Sequence, residues 1–437
     1  MTQKRRAVVL ILDGLRRDFV TPERMPRLSA LRERATWCAA HRSVFPSVTR
    51  VVSSSVATGC RPARHGLAGN TICLPSEGAL ALFDAGKPDF ITEKQRLTGR
   101  ALAMPTLAER LARAGGVAVY NNVSPGAAYL HDPLGFGHVY HRAGSFGPGR
   151  APITDERALA IAGDLDGDAA LIARFTQEAV AADGPTLALA WLGHPDTTQH
   201  DHPLGSPEHH EALRRADAHA GAVIDAVDAA RGRGEDVLLL VGSDHGHQTV
   251  SDIVDIDAEL VAAGLKAAPG STDIVVAPNG TAALIYVDPD QAHLTARLGA
   301  HLARRPWVGR LIARDDFDAH GIPADEGLAF AVAMAADDEA VNAYGVPGLS
   351  LAAKPAGGKP DRLGCGQHGG LGRYEQSPVL ILDGPGFAAG ATIAATTSAI
   401  DLAPTLLAFL RQEAAGLDGR PLQPRPDRHR QRPDVQP

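Results

Sequence analysis

Several short runs in this chain are apolar at almost every position: Ala7–Leu12 (AVVLIL), Val117–Tyr120 (VAVY), Thr186–Leu192 (TLALAWL), Asp236–Val241 (DVLLLV) and Val379–Asp383 (VLILD). A strand with one wet face alternates polar and apolar positions. Unbroken apolar runs stopped by Gly, Asn or Asp instead predict strands buried on both faces, as in a parallel sheet. The stretches between them read as helices: Pro26–Ala35, Met104–Ala114, Leu171–Ala182, Glu208–Arg231 and Ser398–Arg411, the last interrupted early by Pro404. Met104–Ala114 is the clearest, with Pro105 near its start and Gly115-Gly116 at its end. Strands alternating with helices give a βαβ rhythm and predict an α/β fold.

The pattern changes between 252 and 360. Strands there are shorter (Ala282–Val287, Ala329–Ala333), one helix spans Gln291–Arg304, and Pro and Gly are frequent. This predicts an inserted α+β subdomain. The stretch Tyr129–Pro152, rich in Gly, Pro, His and aromatics, reads as a loop near the site. Beyond Gln412 the chain is rich in Pro, Arg and Asp, and a disordered tail over 412–437 is expected.

Composition narrows the class. The chain has 437 residues, 44% hydrophobic and 21% charged, so it can bury a sizeable core as one large domain or two ordinary ones. A net charge of −7 gives no general drive towards a nucleic-acid polymer or an anionic membrane. Cys38, Cys60, Cys73 and Cys365 form no C-x-x-C pair, so neither a disulfide framework nor a cysteine zinc knot is expected. The basic opening MTQKRR leads into an apolar run that soon meets Asp13, with no small-residue cleavage site after it. A cytoplasmic enzyme is the expectation.

Open α/β sheets place their sites at the C-terminal ends of the strands. Asp13 follows the first run directly. The third run leads into HPDTTQHDH, where Asp196 and His200 are four apart and share one side of a helical turn. The fourth leads into Gly242-Ser243-Asp244-His245-Gly246. Thr49 stands at the start of a helix-compatible run, where the dipole favours an anionic substrate; it could equally be an ordinary N-cap. Gly364-Cys365-Gly366-Gln367-His368-Gly369 matches G-x-G-x-x-G, but no strand precedes it and no helix follows. Its glycines are better suited to presenting His368. Asp164, Asp166 and Asp168 imitate the start of a calcium loop, yet no Gly follows Asp168 and Phe175 stands where Glu belongs. Taken together, Asp13, Asp196, Asp244, His200, His245, His368 and Thr49 make a mixed oxygen and nitrogen donor set for two zinc-like divalent ions. Such a pair can clamp the attacking and leaving oxygens of a phosphoryl transfer and activate a hydroxyl nucleophile.

These pieces resemble, in order, the motifs of the alkaline phosphatase superfamily, in its type I phosphodiesterase/nucleotide pyrophosphatase branch, with phosphonoacetate hydrolases as relatives. They are ILDGLRRD, FPSVTRVVSSSVATG followed by RHG, PDTTQH, SDHGH, the Gly-flanked His368 and DLAPTLLAFL. The resemblance implies a doubly wound, mostly parallel sheet formed by 1–251 and 361–411, with 252–360 as a small cap. It implies Thr49 as nucleophile. One divalent ion, expected to be zinc, would be held by Asp13, Thr49, Asp244 and His245, and a second by Asp196, His200 and His368. The implied activity is hydrolysis of phosphate diesters or nucleotide pyrophosphates, on a small phosphate- or phosphonate-containing substrate. A C–P bond hydrolase or a phosphomonoesterase is the alternative. Phosphonoacetate hydrolases carry substrate-gripping lysines after the strand matching Val117–Tyr120, where this chain reads NNVSPGAAYLHD. The complete ligand set argues against a non-catalytic binding protein.

Overall fold

The structure, a computed structural model, describes residues 5–357 and 360–424. The apolar runs all enter one ten-stranded sheet. Its centre is four parallel strands in the spatial order Asp236–Gly242, Arg5–Leu12, Leu187–Leu192 and Val117–Asn121. Side chains alternate across a strand, so Ala7, Val9 and Ile11 enter one core while Val8, Leu10 and Leu12 enter the other. Helices Pro26–Arg34, Leu165–Glu178 and Pro207–Gly232 cover the second face. Thr49–Thr58 and Leu402–Phe409 cover the first. That is the doubly wound α/β arrangement, and it explains why the strands read as unbroken apolar runs.

Register aligns the strand ends. Leu12 lies opposite Leu192, Ile11 opposite both Trp191 and Gly242, and Trp191 opposite Asn121. The residues that follow therefore leave the sheet at one edge.

Several elements differ from the sequence pattern. Leu380–Asp383 pairs antiparallel with Asp236–Gly242, a direction that burial on both faces does not encode. The helix expected from Met104 is only Leu107–Leu111, because Thr106 takes the N-cap and accepts from Glu109 N at 3.4 Å. Within Tyr129–Pro152, His138–His141 and Ser145–Phe146 extend the main sheet. Asp164 caps its helix through Gly167 N at 2.8 Å, so that helix begins six residues before Leu171, at Leu165. Pro404 lies in the first turn of Leu402–Phe409, where its missing N–H costs nothing.

Within 252–360, strands Ile274–Asn279, Ala282–Val287, Leu328–Met334 and Val308–Ala313 form a separate antiparallel sheet. It packs its own apolar cluster, including Ile256, Leu260, Ile285, Leu298 and Val332. Gln291–Arg304 is a 3-10 turn, Pro289–Leu294, followed by the helix Thr295–Leu302. Residues 412–424 of the expected tail are mostly exposed but tied to the core at two points. Leu422 is buried and its amide donates to Thr405 Oγ1 at 3.0 Å, while Asp418 pairs with Arg64 at 2.8 Å. The remainder of the expected tail, 425–437, lies outside the described residues. Among the described residues no helix is long and apolar enough to cross a membrane.

Candidate active site

The sheet edge gathers the functional side chains. Asp13 follows the central strand, and its neighbours are fixed by backbone ties. Gly14 N donates to Asp244 Oδ1 at 3.1 Å, Leu15 N to Ser243 Oγ at 2.9 Å, and Asp196 N to Asp13 O at 3.0 Å. Gly14 has φ +71, and a Cβ there would meet His247 Nε2 at 2.8 Å, so this turn requires glycine. Asp168 ties two further strand ends together. It accepts from Asn122 Nδ2 at 2.8 Å, Gly193 N at 3.2 Å and His194 N at 3.0 Å.

Thr49 opens the helix Thr49–Thr58, but it is not the cap. Val48 holds that position in extended conformation, with no side-chain cap bond. The Thr49 hydroxyl is left for the site and lies 3.2 Å from His245 Nε2. The Arg50 amide, at the same helix end, donates to Asn70 Oδ1 at 3.0 Å.

Two overlapping groups of donors surround this hydroxyl. In the first, His245 Nε2 lies 3.4 Å from Asp13 Oδ1 and 3.1 Å from Asp244 Oδ2. In the second, Asp196 Oδ1 is approached by His247 Nε2 at 2.7 Å, His200 Nε2 at 3.4 Å and His368 Nε2 at 3.6 Å. The His245 and His368 rings stack with centroids 3.5 Å apart, joining the groups.

Electrostatics favour a cation. Burial, and then the Asp244 and Asp196 carboxylates, push the Asp13 carboxyl well above its ordinary range. Burial, then the His245 and His247 rings, hold His368 well below its ordinary value, which leaves a neutral imidazole with a lone pair. Burial acts against ionisation of Asp196, yet His200 and His247 outweigh it and hold that carboxyl low. Among the described residues, Asp13 Oδ1, Asp244 Oδ2 and His247 Nδ1 are buried without a hydrogen-bond partner, His245 Nε2 lying close to both carboxylate oxygens without bonding either. Buried carboxylate oxygens left unpaired are costly, and a divalent cation answers that need with the donor types zinc accepts. These residues fit a metal.

Every candidate donor expected from the sequence lies at this edge: Asp13, Asp244 and His245 form one tight cluster and Asp196, His245, His247 and His368 another, with Thr49 beside His245 and His200 beside Asp196. Both tight clusters fall outside 252–360. The other histidines and acids of HPDTTQHDH do not join. His194 Nδ1 contacts Thr198 Oγ1 at 2.7 Å, and Asp201 faces Arg362 at 3.6 Å. His247 was not among the expected donors, although it sits two residues after His245 in SDHGH. A second His spaced to return to the same side was the available signal. Trp191, whose Nε1 donates to Asp13 Oδ2 at 2.9 Å, carried no signal beyond an apolar strand position.

Residues 7–314 match the sequence profile described as type I phosphodiesterase / nucleotide pyrophosphatase. No curated protein matches the chain. Among solved structures, murine ectonucleotide pyrophosphatase / phosphodiesterase 5 superposes with a TM-score of 0.68 at 18% identity, covering 95% of this chain and 97% of that one. An inactive variant of the murine protein in complex with AMP gives 0.67 at 18%, with the same coverage. The human protein gives 0.65 at 16%, again covering 95% and 97%. Identities this low bear on the fold alone. The profile spans most of the chain and carries the assignment: the chain belongs to the type I phosphodiesterase/nucleotide pyrophosphatase family of hydrolytic enzymes.

Proposed function

We propose that the protein hydrolyses phosphate diesters or nucleotide pyrophosphates through a Thr49 nucleophile and two divalent ions. The observation that carries this reading is the Thr49 hydroxyl. It is buried at a helix N-terminus, unused as a cap, and 3.2 Å from His245, which itself lies beside the Asp13 and Asp244 carboxylates. Asp13, Thr49, Asp244 and His245 would hold one ion, and Asp196, His200 and His368 the other, with His247 orienting Asp196. When bound, two such ions, zinc by the mixed donor chemistry, supply positive charge that eases ionisation of the hydroxyl and offsets charge on the phosphoryl oxygens.

The chain's own residues do the rest. The first-turn amides of Thr49–Thr58 and the positive helix end favour an anionic phosphoryl group beside Thr49. Thr49 Oγ1 forms a bond to phosphorus while the bond from phosphorus to the leaving oxygen breaks. The hydroxyl proton passes to water and a proton ends on the leaving oxygen. A water oxygen then bonds to phosphorus, the Thr49 Oγ1–phosphorus bond breaks, and Thr49 regains a proton. Two displacements at phosphorus predict overall retention of configuration.

AMP bound to the murine relative supports a nucleotide unit on the substrate. The test compares bis-p-nitrophenyl phosphate, the p-nitrophenyl ester of thymidine 5′-monophosphate, p-nitrophenyl phosphate and phosphonoacetate with metal-loaded protein. Diesters are expected to lead in kcat/KM. A monoester or phosphonoacetate turned over a hundredfold better, about 2.7 kcal/mol of transition-state preference, reverses the assignment.

A further inference from the structure

Arg50 follows the proposed nucleophile directly and, among the described residues, is committed to no structural ion pair. Its backbone amide is held by Asn70 Oδ1 at 3.0 Å, and its Nε donates to Ser124 Oγ at 3.0 Å. Ser124 caps the helix Pro125–Tyr129, just beyond the strand Val117–Asn121. The backbone is thus held at the helix start, and the guanidinium is anchored through Nε beside the end of the strand Val117–Asn121. Its plane lies against Gly86: a Cβ there would come within 2.5 Å of Nη2 and 3.1 Å of Cζ, so the chain leaves room for the group by having no side chain at that point.

The two terminal nitrogens are the informative part. Among the described residues neither Nη1 nor Nη2 has a hydrogen-bond or ion-pair partner, although the carboxylates of Asp84, Asp13 and Asp196 face the group. Asp84 Oδ1 instead accepts from Gly86 N at 2.8 Å. The guanidinium is surrounded by protein, yet the residue keeps accessible surface. A buried cation with an anchored Nε and two open N–H edges presents a planar fork, the geometry that matches phosphate oxygens.

We propose that Arg50 is a specificity-determining residue, whose open guanidinium edge seats the phosphate next to the scissile phosphoryl group in a pyrophosphate-linked substrate. A simple diester has one negative charge, already served by the metals and the helix end. A phosphoanhydride carries a second charge on the adjoining phosphate, and Arg50 pairs with it. This inference rests on the phosphodiesterase reading above and adds what the site discriminates.

The experiment measures kcat/KM of the metal-loaded parent, Arg50→Gln and Arg50→Lys on three substrates: the p-nitrophenyl ester of thymidine 5′-monophosphate, dithymidine 5′,5′-pyrophosphate and p-nitrophenyl phosphate. Arg50→Gln is expected to lose at least a hundredfold on the pyrophosphate and less than tenfold on the diester, with Arg50→Lys between parent and Gln on the pyrophosphate alone. A merely structural staple between Gly86 and Ser124 would instead lower all three rates together, with a lower melting temperature. That outcome overturns the proposal, as does a loss concentrated on p-nitrophenyl phosphate, which would place the second charge on the scissile phosphoryl group itself. If the parent cleaves none of the three, the underlying phosphodiesterase reading fails. If the parent cleaves the diester and the Arg50 variants show no discrimination, only the present inference fails.

Discussion

Six histidines outside the proposed donor set are expected to make the fold sensitive to acid. They are His41, His65, His131, His141, His209 and His219. Burial lowers each from 6.5: His41, His65 and His209 to about 3, and His131, His141 and His219 to about 4. Three show the structural reason. Nδ1 accepts a backbone N–H, from Leu67 to His65 at 3.3 Å, Ala143 to His141 at 2.9 Å and Gly205 to His209 at 2.9 Å. A protonated ring would have to break that bond. Because the folded values lie below the unfolded one, their stabilisation is present above pH 6.5 and is lost as pH falls towards the folded values. At pH 5 each of the five more deeply buried rings costs about 1.5 pH units, or ~2 kcal/mol, so together they cost ~10 kcal/mol, and His219, partly open to solvent, adds less. Buried carboxyls act the other way, among them Asp13, Asp217, Asp325, Asp361 and Asp401, all raised by burial. Asp168, raised by burial to about 6, and Glu375, raised by burial to about 7, stay protonated in the fold and add stability as pH falls through those values. At pH 5 they return roughly 4 kcal/mol. A net loss of no more than ~6 kcal/mol is still comparable to the whole stability of an ordinary domain. Urea unfolding of the chelator-treated protein at pH 7.5 and pH 5 measures this directly. His65→Asn should shrink the difference between the two pH values by about 2 kcal/mol. A difference unaltered by His65→Asn refutes the reasoning.

Two further outcomes follow from the site. Gly14→Ala would strain a left-handed turn and drive a Cβ against His247 Nε2 and Asp196 Cβ. It should cost about 1–2 kcal/mol of stability and lower metal content, read by elemental analysis; full metal occupancy in a stable variant would contradict the placement of Asp196. Chelation should abolish turnover and lower the melting temperature, with zinc restoring both; ions at a hundredfold excess over their Kd stabilise by about 2.7 kcal/mol, and an unchanged melting curve would speak against ions at Asp13, Asp196 and Asp244.

Much of the fold could be read because a two-sided buried strand leaves a strong trace. Ala7–Leu12 has no polar position for this reason, and Asp13 stands out at its end. The donors followed because strand ends of a parallel sheet share one edge. His247 was missed because its neighbour His245 already filled the expected place. The antiparallel direction of Leu380–Asp383 leaves no trace in composition, since either direction buries the same side chains. The tethering of 412–424 was missed for a different reason. A polar, Pro-rich stretch held by one Leu422 and by Asp418 with Arg64 carries no periodicity. Arg50 could not be singled out either, because its meaning lies in what does not pair with it.

The central claim is that Thr49 attacks phosphorus. Turnover of the p-nitrophenyl ester of thymidine 5′-monophosphate by metal-loaded Thr49→Ala tests it most directly, with melting temperature and metal content recorded on the same sample. Val48, not Thr49, occupies the cap, so fold and ions should persist with at most about 1 kcal/mol lost. The account predicts that kcat falls at least a thousandfold, about 4 kcal/mol of barrier, while Thr49→Ser, which keeps the oxygen, retains appreciable activity. A Thr49→Ala protein with two ions bound and kcat within a few-fold of the parent would contradict it.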